Sequence, residues 1–137
     1  MRFRNLRELV VLCDKEALTI SQVMLQDQAA ESGQSEAEIM AAMAEYYQIM
    51  KEAVRRGLTE EITSTSGLTG GDAKRVNEYR GSGEPAAGDI ACQAMAYALA
   101  VSEVNASMGR IVATPTAGSC GIIPGCSSAR RTFWLGG

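Results

Sequence analysis

The stretch from Ser35 to Gly57 constrains this chain more than any other. Ser35 and Glu38 make a Ser-x-x-Glu capping box, in which each side chain satisfies a backbone amide at a helix start. Behind the box, Ile39, Met43, Tyr47, Met50 and Val54 recur at helical period and form one apolar stripe that reads as core. Lys51, Arg55 and Arg56 place positive charge in the last turns, where the helix dipole favours it. Gly57 reads as the stop.

The same grammar extends in both directions. Leu6, Val10 and Cys13, with Leu9 and Leu12 beside them, predict a helix over 4–16. Thr19 and Gln22 predict a second capped start, and Gly33 its end. A short helix is expected from Asp72 to Arg80. A buried, alanine-rich helix is expected from Ile90 to Met108, alanine being the best helix former. Ile111-Val112-Ala113 is a short β-prone run. Two segments break the helical pattern: Ile62 to Gly71, and Thr114 to Gly121. With 137 residues and 46% apolar content, the chain suits one domain at most, mainly α, with two polar, glycine-rich loops.

Composition excludes several functions. There is no histidine, so no Ser-His-Asp triad, Cys-His pair or H-E-x-x-H zinc helix can be built from this chain alone. The net charge of −3 lacks the basic stripe of a nucleic-acid binder. No apolar run is long enough to span a bilayer, and the start lacks a signal-peptide core. The expectation is a cytoplasmic protein that contacts neither nucleic acid nor membrane. The four cysteines, Cys13, Cys92, Cys120 and Cys126, are scattered and form no C-x-x-C pair. No lysine stands in a context that would anchor pyridoxal phosphate.

The two loops are where a ligand can approach backbone. Their amides and hydroxyls can hold a small anion such as a carboxylate, most of all where a helix start follows. The loop Ser66-Gly67-Leu68-Thr69-Gly70-Gly71 is neither a Walker A sequence nor a dinucleotide fingerprint. On composition alone, both loops read first as ordinary helix connections that use glycine and serine for turns.

Specific strings narrow the choice. Arg4-Asn5 is followed by Ser64-x-Ser66-Gly67-Leu68-Thr69-Gly70-Gly71-Asp72-Ala73. Next come Glu103-Val104-Asn105-Ala106-Ser107-Met108-Gly109 and Ala113-Thr114-Pro115-Thr116-Ala117-Gly118-Ser119-x-Gly121-Ile122-Ile123-Pro124-Gly125. Together these resemble the alpha subunit of the iron–sulfur-dependent L-serine dehydratases. The resemblance runs from the start to Gly125.

The resemblance implies a lyase that deaminates L-serine to pyruvate and ammonia with a [4Fe–4S] cluster and no pyridoxal phosphate. One iron of the cluster would act as Lewis acid on the serine hydroxyl. It implies a beta subunit as partner. It implies substrate-binding roles for Ser64, Ser66, Gly67, Thr69, Gly70, Gly71, Asn105, Pro115, Thr116, Gly118 and Ser119. The hydroxyls would donate to the substrate's carboxylate or hydroxyl, and the glycines would let backbone amides close in. No general base is named.

The cluster needs thiolates, and in this family they lie downstream of the second loop. None of the four cysteines here falls at a ligand position, so no metal ligand is expected in this chain. Residues 1–125 are therefore expected to be the N-terminal part of a larger all-α catalytic domain. After Gly125 the family continues with an apolar helix. Here 126–137 runs Cys-Ser-Ser-Ala-Arg-Arg-Thr-Phe-Trp-Leu-Gly-Gly without a clear stripe. The expectation is an aberrant, frame-shifted tail on a truncated chain that is inactive alone. The alternative is a non-catalytic helical interaction module that pairs with a beta-type partner.

Overall fold

A computed structural model describes residues 3–116 and 118–135, with side chains through Ala129. The last two residues of the 126–137 tail lie outside the described residues. Among the described residues there are six helices: α1 (Leu6–Glu16), α2 (Ile20–Ser32), α3 (Glu36–Thr59), α4 (Asp72–Gly81), α5 (Asp89–Ala106) and α6 (Ser119–Leu135). The described residues contain no strand, so the chain is mainly α. The β-prone run Ile111–Ala113 forms no strand, and Ile111 packs against the apolar core of α3 and α5. Ser119–Gly121, expected as loop, opens α6.

The chain forms two compact units, Met1–Glu45 and Tyr46–Gly137. In the first, α1 and α2 pack together and Leu9 and Val23 are buried. The helix starts form as their side chains dictate. Asn5 Oδ1 accepts from the Glu8 amide at 2.9 Å. The Thr19 amide donates to Gln22 Oε1 at 2.8 Å, and the Gln22 amide returns the bond to Thr19 Oγ1 at 3.3 Å. Ser35 and Glu38 close the third start in the same way, at 2.8 and 3.3 Å. Gly33 ends α2 in the left-handed conformation.

The α3 stripe is core only in part. Val54 is buried and Ile39, Tyr47 and Met50 are half-buried, but Met43 is 57% exposed. Periodicity says which side chains share a face. It does not say whether anything covers that face.

In the second unit α5 is the centre. Ala96, Ala100, Val101 and Val104 are buried, and Val101 and Val104 share a core with Ala53, Val54 and Ile62. Gly57 does not end α3, which continues to Thr59. Gly57 lies where α3 presses on α5, and a Cβ there would sit 2.4 Å from Ala100 Cα. On another side, Gly121 and Gly125 set α6 onto α5. A Cβ on Gly121 would be 2.9 Å from the Ala98 carbonyl oxygen, and one on Gly125 would be 2.9 Å from the Ala98 nitrogen. Helix α6 carries Pro124 inside it and continues through Leu135, although 126–135 lacks an apolar stripe.

These contacts also fix direction. Gly57 meets Ala100, and two further helices run opposite to α5. Helix α4 begins at Glu103 and ends near Asp89, which pairs with Arg80 at 2.9 Å, so it runs back. Helix α6 also runs back, from Ser102 at Gly121 to Ala94 at Gly125.

Two outcomes follow from this packing. Gly57→Ala forces a methyl into backbone and is expected to cost about 1–3 kcal/mol, lowering Tm by about 5 °C or more in a thermal melt. At the start of α3, the Ser35 hydroxyl, and then its amide, hold the Glu38 carboxyl below the ordinary value of 4.5. A carboxyl depressed in the fold stabilises above its unfolded pKa, and that contribution is lost as pH falls through the folded one. Carboxyl titration by NMR is expected to place Glu38 below 4.5 in the native chain, and Ser35→Ala to move it back up.

Candidate functional site

The loop between α3 and α4 is closed on itself. The Ser64 amide donates to the Thr69 carbonyl at 2.8 Å, and the Gly67 amide to the Ser64 carbonyl at 2.8 Å. The Thr69 amide donates to Ser64 Oγ at 3.2 Å, and Ser64 Oγ and Ser66 Oγ are 3.1 Å apart. Gly70, at φ +151°, lies against the incoming segment of the loop, where a Cβ would be 2.2 Å from the Ile62 carbonyl oxygen. No other residue type fits there.

This loop is tied to the last turns of α5. The Thr65 amide and Oγ1 both donate to the Ala106 carbonyl, at 3.0 and 2.9 Å. Gly71 occupies the cap position of α4 and has no side chain to cap with. The cap comes from α5 instead: Glu103 Oε1 accepts from the amides of Asp72 at 2.6 Å and Ala73 at 3.1 Å.

The second loop leads into α6. Thr114 Oγ1 and Ser119 Oγ are hydrogen-bonded, and Ser119 Oγ donates to the Thr116 carbonyl at 2.6 Å. Pro115, Thr116 and Gly118 are exposed. Because α6 begins beside Ser102 and the first loop is tied to Glu103 and Ala106, both loops come to the C-terminal end of α5.

The structure thus gathers Ser64, Ser66, Gly67, Thr69, Gly70 and Gly71 into one closed loop, with exposed Asn105 between its two ties to α5. It sets Pro115, Thr116, Gly118 and Ser119 in the second loop at the same end. A cavity of about 380 Å³ beside the first loop takes in only Gly70 and Gly71 of these, together with Glu61, Lys74 and Arg75. It lies on the charged side of the loop, where Lys74 approaches Glu61 at 3.9 Å.

Glu103 is the residue that sequence reasoning passed over. It stands in the resemblance string without a role. The signal was present, however: a lone acid among Ala96, Ala100, Val101 and Val104 on the buried side of α5.

The thiols do not fit an iron–sulfur cluster by themselves. Cys92 is buried in α5, while Cys120 and Cys126 sit six residues apart on α6, half-buried and exposed. Among the described residues no three His, Cys, Asp or Glu side chains converge on a metal position. A cluster takes three or four thiolates.

Comparison with known proteins identifies the family. The serine dehydratase alpha chain family matches residues 15–134. A protein of Bacillus subtilis named "Probable L-serine dehydratase, alpha chain" is 41% identical over 123 residues, covering 90% of this chain and 41% of that protein. The "L-serine dehydratase, alpha chain" of Peptoniphilus asaccharolyticus is 38% identical over 118 residues, covering 86% of this chain and 40% of that protein. The "L-serine dehydratase" of Streptomyces coelicolor is 37% identical over 125 residues, covering 89% of this chain and 27% of that protein. No solved structure matches the chain. The chain belongs to the serine dehydratase alpha chain family, and it spans about 41% of the length of the Bacillus subtilis relative.

The closure of the first loop is directly testable. Gly70→Ala sets a methyl against the Ile62 carbonyl and is expected to cost about 1–3 kcal/mol. Amide exchange should then speed up at Ser64 and Thr65, whose bonds close and anchor the loop.

Proposed function

We propose that this chain is the serine-holding part of an iron–sulfur L-serine dehydratase alpha subunit, a cytoplasmic lyase that deaminates L-serine to pyruvate and ammonia with a beta chain as partner. The observation that carries this reading is the convergence of both hydroxyl-rich loops at one end of α5. Ser64, Ser66, Thr69, Thr116 and Ser119 offer hydroxyls there, and α6 begins at the same end. Such a combination suits a small carboxylate. Asn105 is a polar contact at the same end. Gly67, Gly70, Gly71, Pro115 and Gly118 shape the backbone around the substrate. The family name and the relatives' names support serine as that substrate. No described helix is long and apolar enough to cross a membrane.

The thiols of this chain do not make a cluster site, so the [4Fe–4S] group takes its ligands from outside these residues. The division of labour is then simple. This chain binds and orients the amino acid, and the leaving-group chemistry is supplied by another part of the enzyme. A second reading, a non-catalytic helical module that pairs with a beta-type chain, is favoured by the same dispersal of thiols. It keeps the fold and removes the serine site.

Thr116→Val separates the two. The assay uses a complete enzyme in which this chain replaces the matching segment of the Bacillus subtilis relative. The change keeps shape and removes one hydroxyl, and it is expected to lower kcat/KM for L-serine about 10- to 100-fold, with Tm unchanged. An unchanged kcat/KM removes Thr116 from the site.

A further inference from the structure

Glu103 has a chemistry that packing does not explain. It is 7% exposed, on the side of α5 that carries the core. One oxygen, Oε1, takes both amides that open α4, and the other, Oε2, is buried without a hydrogen-bond partner among the described residues. An unmatched buried carboxylate oxygen is costly. An apolar residue would avoid that cost but would leave the Asp72 and Ala73 amides without their acceptor, so the position is tied to the start of α4.

The amides that it holds belong to Asp72 and Ala73, the two residues directly after Gly70 and Gly71. The loop from Ser64 to Gly71 is therefore fixed at both ends by α5. Thr65 holds the first end on Ala106, and Glu103 holds the second. Because the cap residue Gly71 makes no side-chain bond of its own, the start of α4 depends on a side chain thirty residues away in sequence.

We propose that Glu103 is the positioning residue of the proposed serine loop: its reach across from α5, more than its charge, sets where the Ser64–Gly71 backbone stands. This rests on the serine-binding reading for its consequence, though not for its geometry. The glutamate length brings an oxygen to the two amides. Glutamine keeps that length and an acceptor, and it loses the charge. Aspartate keeps the charge and falls short by one methylene.

The experiment compares Glu103→Gln and Glu103→Asp in the full 137-residue chain, with two readouts. Amide exchange at Asp72 and Ala73 reports the cap, and L-serine titration calorimetry reports the loop. Expected for Glu103→Gln are retained protection and a serine Kd within about 3-fold of the native chain; expected for Glu103→Asp are lost protection and a Kd raised about 10-fold or more. The reverse order, with aspartate native-like and glutamine impaired, overturns the proposal, as does native-like behaviour of both. If the native chain binds no L-serine, the serine reading fails by itself, and the exchange pattern of the two variants still decides whether reach sets the loop.

Discussion

Close approach to α5 is the constraint on which the second unit depends. Alanine and glycine bring helix backbones within contact and lose no side-chain freedom in doing so. Gly57 meets Ala100, while Gly121 and Gly125 meet Ala98 from another side. Any larger residue at these positions would push α3 or α6 outward by the width of a methyl or more. The loops that these helices carry would then separate from the end of α5. The alanine content of α5 is thus a requirement of the site as much as of the helix.

Local side-chain grammar was legible in the sequence, and distance was not. The boxes at Thr19–Gln22 and Ser35–Glu38 form as their spacing implies, since both partners lie within one turn. Gly57 was misleading because a glycine that ends a helix and a glycine that admits a neighbouring helix look identical without the neighbour. The partial exposure of the α3 stripe, with Met43 outside the core, has the same origin. Residues 126–135 form helix without an apolar stripe because α6 is already set on α5 by Gly121 and Gly125.

The site residues divide along the same line. The loops could be found because serine, threonine and glycine cluster there in a family-specific order. What the sequence could not show was their common location, which depends on the antiparallel return of α4 and α6 along α5. Glu103 escaped for a related reason. Its partners are backbone amides about thirty residues earlier, and a backbone amide carries no sequence signal.

The direction of α4 and α6 against α5 has an electrical consequence. At the end of α5 where the loops meet, α4 and α6 present their beginnings and α5 its end. Helix beginnings carry partial positive charge and helix ends partial negative charge. The positive beginning of α4 is met from within the fold by the Glu103 carboxyl group, carried on the same last turns of α5 whose carbonyls make that end negative.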